Sequence, residues 1–238
     1  YKLEAKCYNK SSLITGQTEG IILNINKRFP NKKTYWLPNG VDVDFYNPDN
    51  VIKNNFREKN GFTDDDILFY YGGIIGHAQG LEVILHASSR LKDSPNIHII
   101  IQGSGPVKPS LINLSKNLNL KNIHFYDTVD KLKMPEILKS IDVSIVPLKN
   151  LPLFKGAIPS KVFEAMSMKK PLILGVDGEA RKHFIDNAQA GLFFEPENPI
   201  HLAQQISILA IDHHKRLKMG ENARQYVVSN FNRNHLAA

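Results

Sequence analysis

The chain has 238 residues, 42% of them hydrophobic, enough to bury one large domain or one domain plus a smaller unit. No apolar run approaches the roughly 20 residues that cross a bilayer, so the sequence reads as soluble. The single cysteine, Cys7, excludes an intramolecular disulfide and a cysteine-built zinc site and suits a reducing compartment. A formal charge of +7 favours anionic partners: nucleotides, acidic lipid headgroups or nucleic acid. The lysines are dispersed and no aromatic-interleaved RNA signature stands out, so a nucleotide or a membrane surface is the better expectation. The nine histidines show no ligand spacing such as H-E-x-x-H, and no metal is expected. The chain opens on Tyr1 with no targeting pattern, and is expected to be a piece of something longer.

In chain order, Ser12 to Thr15 reads as a short strand and Gln17 to Asn26 as a helix carrying Ile21, Ile22 and Ile25. Pro38-Asn-Gly-Val-Asp42 is a turn whose Asn-Gly pair calls for positive φ, either a surface loop or a domain boundary, and Phe45, Tyr46 and Pro48 follow as an apolar anchor. From Ile67 onward short apolar runs alternate with helix-length stretches. Strands are predicted at 67–71, 98–101, 123–126, 143–146, 172–174 and 192–194, with helices at 81–91, 108–117, 131–139, 159–168 and 180–187. Two further helices are predicted at 200–210 and 214–228. This alternation argues for an α/β fold, a doubly wound parallel sheet of about six strands covered on both faces.

Four stretches carry chemistry. Gly156-Ala-Ile-Pro-Ser-Lys-Val-Phe-Glu164 follows a strand and opens a helix, with free amides at Ser160 and Lys161, a positive charge on Lys161, and Glu164 one turn later on nearly the same face. Such a start holds a phosphate, or is an ordinary helix cap with a solvated lysine. Gly72-Gly-Ile-Ile-Gly-His-Ala-Gln-Gly80 joins the first of the regular strands to its helix. Its glycines, Gly73 and Gly76 among them, let a backbone approach a ligand, although no Gly-Lys-Ser/Thr makes it a P-loop. Gly103-Ser-Gly-Pro106, with Asp127 some twenty residues on, offers a dinucleotide fingerprint weakened by Lys108 where a third glycine belongs. Asp177-Gly178-Glu179 is a capping arrangement or a contact to a polyol, the second being favoured because three loops would then converge on one crevice.

Together, Pro38 to Asp42, Gly72 to Gly80, Gly103 to Pro106, Pro159 to Glu164 and Gly178-Glu179 resemble, in order and spacing, retaining glycosyltransferases of family 4. The Ala-Gln-Gly and Pro-Ser-Lys-Val-Phe-Glu strings look like the bacterial subgroup that builds O-antigen and capsule. The resemblance implies the GT-B architecture and places this chain as its C-terminal, donor-binding half. Residues 1–37 would be a remnant of the N-terminal domain and linker, 38–210 a Rossmann-like nucleotide-sugar-binding domain, and 211–238 a helix crossing back toward the N-terminal domain. It further implies a UDP-sugar as substrate with no separate cofactor, a lipid-linked or polysaccharide acceptor, and a cytoplasmic location at the inner face of the plasma membrane. The implied donor-binding residues are Gly73, Gly76, Gln79, Ser160, Lys161, Glu164, Gly178 and Glu179, with Lys161 and Glu164 also catalytic. Glu164 matches the second glutamate of the family's E-x7-E motif, but the first falls on Gly156, and the family's Arg and Lys in the first loop correspond to Gly73 and Gln79. Alternatives are a GT-B sugar-nucleotide 2-epimerase and a non-catalytic module binding NAD through Gly103 and Asp127.

Overall fold

The computed structural model describes residues 2–51 and 55–236; the outermost residues of the first and last predicted segments, 1, 237 and 238, lie outside it. A small N-terminal unit comes first: helix α1 (Lys2–Lys10), strand β1 (Ile14–Gly16), helix α2 (Glu19–Arg28) and strand β2 (Thr34–Trp36), with β1 and β2 paired in parallel. Thr18 caps α2, its hydroxyl accepting from the Ile21 amide at 3.3 Å. After a short helix α3 (Phe56–Lys59), strands β3 (Ile67–Gly72), β4 (Ile97–Gln102), β5 (Ile123–Tyr126), β6 (Val143–Pro147), β7 (Leu172–Gly175) and β8 (Gly191–Phe193) form one six-stranded parallel sheet. The helices between them are α4 (Glu82–Ser88), α5 (Lys108–Asn117), α6 (Met134–Ser140), α7 (Lys161–Ser167) and α8 (Glu179–Arg181), the last continued by a π-helical turn, Lys182–Asn187. Helices α9 (Pro199–Ile211), α10 (His213–Asn230) and α11 (Arg233–Leu236) close the chain.

Because both faces are covered, the strands are near-continuous apolar runs, and the two-residue period of a strand divides them between two cores. Leu68 and Tyr70 pack with Ile100, Leu174 and the residues of α6, α7 and α10, whereas Phe69 and Tyr71 pack with Ile99, Ile145 and the residues of α4, α5 and α9. The strand order β5-β4-β3-β6-β7-β8 reverses its winding between β3 and β6. In wound sheets that reversal opens a crevice at the carboxyl ends of the strands, where ligands bind. The loops leaving β3 and β6 are those that carry Gly73 and Lys161.

The last long helix, α10, buries Ala223 and Val227. Beyond it Phe231 accepts from the Val41 amide and Val41 accepts from the Arg233 amide, each at 2.9 Å, so the segment around Val41 pairs with the chain's end beneath the crevice.

Candidate functional site

The loop after β3 is shaped by its neighbours. Tyr71 donates its hydroxyl to the Ile74 carbonyl, and the Gly73 amide donates to the Gln102 carbonyl at 2.9 Å. Gly103, with φ +143°, allows this: a Cβ there would stand 1.9 Å from the Gly73 carbonyl oxygen. The Gly103-Ser-Gly105 string therefore lets two loops lie against each other. Lys108, which stands where the dinucleotide fingerprint expects a third glycine, donates to the exposed Asp127 carboxylate at 2.7 Å and to the carbonyls of Gly103 and Tyr126.

On the opposite wall α7 begins at Lys161, two residues later than the predicted proline start, with Ser160 as its cap residue. Its first amides bond in the tighter i to i−3 manner, Val162 to the Pro159 carbonyl and Phe163 to the Ser160 carbonyl. The amides of Ser160 and Lys161 donate to no group among the described residues.

The two walls meet. A cleft of about 470 Å³ is lined by Gly72, Gly73, Ile74 and Gln79 from one loop and by Pro159, Ser160, Lys161 and Glu164 from the other. Tyr46, Tyr70, Gln102, Thr128, Val129 and Lys131 also line it. The Lys161 ammonium lies 3.7 Å from the centroid of the Tyr71 ring and 3.1 Å from where a Gly73 Cβ would stand. Burial pulls the Lys161 pKa down to about 7, partly offset by the charge of Glu164. Burial likewise raises the pKa of Glu164, opposed by Tyr46, Lys131, Lys161 and Arg233.

Three predicted residues stand elsewhere. Gly76 is buried behind the loop, its amide donating to the Gln79 side-chain oxygen at 3.1 Å, so Gln79 reaches the cleft with its oxygen engaged. Gly178 and Glu179 do not line the cleft. Gly178 packs on the Lys155 carbonyl, and the Glu179 carboxylate accepts from the Glu19 and Gly20 amides at the start of α2. The loop carrying Gly178 and Glu179 therefore does not join the others at the cleft, because the start of α2 occupies its carboxylate. Gly156, where the resemblance expects a glutamate, ends the turn Pro152–Gly156 and faces Gly20, a Cβ on Gly20 standing 3.5 Å from the Gly156 Cα.

The sequence reading missed Tyr46 as a site residue. Its hydroxyl is buried beside Glu164 yet makes no hydrogen bond among the described residues. Burial, and then the Glu164 charge, raise its pKa well above the usual phenol range. The Tyr46 carbonyl is held by the Ser167 hydroxyl at 2.7 Å and by Arg224 at 3.1 Å, fixing the ring over α7. An irregular loop position gives no periodic signal by which this role could be found.

A parallel sheet wound in this order, with its cleft at the winding reversal, is the domain found in GT-B glycosyltransferases. By comparison of sequences, the chain belongs to the family of glycosyl transferases group 1, whose model matches residues 52–226. It is 25% identical over 189 residues to the uncharacterized glycosyltransferase MJ1607 of Methanocaldococcus jannaschii, covering 78% of this chain and 46% of that one. It is 26% identical over 193 residues to the D-rhamnosyltransferase WbpZ of Pseudomonas aeruginosa, covering 81% and 48%. The chain thus spans about half the length of these relatives. Among solved structures it superposes on Anabaena HepE in complex with UDP and glucose with a TM-score of 0.80 at 16% identity, covering 97% of this chain and 62% of that one. Among the described residues no helix is long and apolar enough to cross a membrane.

Proposed function

We propose that this chain is the donor-binding half of a retaining glycosyltransferase of family 4 that passes a sugar from a nucleoside diphosphate to a lipid-linked or polysaccharide acceptor during cell-surface polysaccharide synthesis. The observation that carries the reading is the meeting of Gly73 and Lys161 across one cleft, beside the amides of Ser160 and Lys161, which donate to no group among the described residues. Two amides and one ammonium facing a glycine turn with space for close approach are suited to a diphosphate. Such preorganised donors stabilise the charge that develops as the nucleoside diphosphate departs. Glu164, half-buried on the same wall, is placed to accept from the ribose hydroxyls. This chemistry needs no metal in the cleft, and Lys161 with the amides around Ser160 supplies the positive charge that the resemblance expects from the first loop, where this chain has Gly73 and Gln79.

UDP is the nucleotide of choice by likeness to a structure solved with UDP and glucose. The acceptor site belongs to the half of the relatives' length that this chain does not span, so the 238-residue chain binds donor and transfers nothing by itself. The whole protein acts in the cytoplasm at the inner face of the plasma membrane. Calorimetry with UDP, UDP-sugars, GDP and ADP tests the reading: one uridine nucleotide should bind, and silence from all of them removes it.

A further inference from the structure

Outside the cleft, the N-terminal unit is fastened to the sheet domain at a second polar cluster. Glu179 accepts from the amides of Glu19 at 2.7 Å and Gly20 at 2.9 Å. His183, one helical turn later, is 9% exposed and stacks against Trp36 of β2, ring centroids 6.4 Å apart and planes 15° from parallel. Its Nδ1 lies 3.2 Å from the Tyr226 hydroxyl, while its Nε2 is buried with no hydrogen-bond partner among the described residues. A carboxylate oxygen of Glu19, one of Glu179 and a ring nitrogen of His183 all lie within 4.8 Å of one another.

Two carboxylates side by side repel, and a buried imidazole nitrogen without a partner is costly; one cation answers both. Two oxygens and an imidazole form a mixed donor set that favours a first-row transition ion over calcium or magnesium, which take oxygen alone. The outer contacts are those of a metal site as well. With Nδ1 beside the Tyr226 hydroxyl, Nε2 is the ring nitrogen left free among the described residues to coordinate, and two amides orient the Glu179 carboxylate. Ligand atoms in a tetrahedral zinc site stand about 3.3 Å apart, given bonds of about 2.0 Å. Glu19, exposed on the first turn of α2, has the rotamer freedom to close that gap.

We propose that Glu19, Glu179 and His183 bind one divalent transition-metal ion, Zn²⁺ being the fit, which ties residues 14–36 to the sheet domain. The ion is structural and lies apart from the cleft, so the site stands whether or not the donor reading does. No sequence motif announces it, because the three ligands come from α2, from α8 and from the π-helical turn.

The test is calorimetric titration of chelator-treated protein with Zn²⁺, with Co²⁺ absorption as a second readout of coordination and limited proteolysis to follow residues 10–37. One ion per chain is expected, together with slower cleavage in that segment. Glu19→Gln, at an exposed position that spares folding, should weaken binding at least tenfold, and Glu179→Gln should do the same. Replacing the exposed pair His213 and His214 by alanine should change nothing. The proposal is overturned by absence of Zn²⁺ binding, by binding that survives both glutamate substitutions, or by binding that disappears with His213 and His214.

Discussion

Lys161 of α7 places its Nζ 3.7 Å from the centroid of the Tyr71 ring, so a lysine from the loop after β6 rests on an aromatic side chain from the end of β3. The ring face stabilises the ammonium, but burial outweighs it and holds the pKa at about 7. The unfolded chain would keep this lysine protonated to a much higher pH, so between about 7 and the ordinary lysine range the unfolded state binds more protons. Stability contributed by this group therefore rises with pH across that window. Binding of a UDP-sugar, whose diphosphate stays fully ionised there, should run the other way. Affinity is flat below pH 7, where Lys161 is already charged, and falls up to about tenfold per pH unit above it, where binding requires proton uptake. Calorimetry in buffers of different ionisation enthalpy reads the proton directly. Lys161→Met should weaken binding and flatten the profile; an unchanged profile would remove Lys161 from the diphosphate.

Glu164 has a separate test. If its carboxylate accepts from ribose hydroxyls, Glu164→Ala costs about 1–3 kcal/mol in affinity for UDP, as expected for a lost hydrogen bond to a charged group. Against 2′,3′-dideoxy-UDP the same substitution should cost little, because the partners are already gone. Equal losses for both ligands would place the effect in packing and not in ribose recognition.

Gly103 and Gly61 both have positive φ, +143° and +75°, yet a Cβ at Gly61 meets nothing within 4 Å while one at Gly103 meets the Gly73 carbonyl oxygen at 1.9 Å. Gly61→Ala should therefore cost about 1 kcal/mol, the conformational term alone. Gly103→Ala should cost more than about 2 kcal/mol and also reduce nucleotide affinity, since relief of the overlap displaces Gly73. Urea denaturation of both variants, with UDP titration of whatever folds, separates strain from collision. Similar losses at the two positions would contradict the packing of these loops.

The sheet domain was legible because its strands are buried on both faces and its helices are spaced between them: Lys108–Asn117 and Ile123–Tyr126 fall where the apolar pattern placed them. Helix α1 escaped notice because it is a short, mostly polar stretch that buries none of its residues. The cleft was half legible. Proximity of the loops after β3 and β6 follows from strand order, and glycine and Pro-Ser-Lys strings mark them. Glu179 misled, since a carboxylate at a helix start looks alike whether it meets a ligand or, as here, two amides of α2. Nothing local distinguishes those cases; only the approach of residues 19 and 20, some 160 positions away in sequence, does.

Tyr46 supplies the remaining prediction. Its hydroxyl is buried and meets full hydrogen-bond geometry with no group among the described residues, although Glu164 lies close enough for its charge and its acceptor oxygen to raise the phenol pKa. A buried hydroxyl so poorly paired is a liability to folding, worth at most about 1–3 kcal/mol, unless something arrives to satisfy it. Tyr46→Phe removes the liability and keeps the ring that Ser167 and Arg224 hold in place through the backbone. The variant should unfold at equal or higher denaturant concentration than the parent, by up to about 1 kcal/mol, while its affinity for UDP falls by about 0.5–1.5 kcal/mol, the net worth of one hydrogen bond. Stability and affinity moving in opposite directions identify a group held ready for ligand. If the substitution instead destabilises the empty protein and leaves affinity alone, the hydroxyl serves the fold, and the floor of the cleft must be assigned to Glu164 without it.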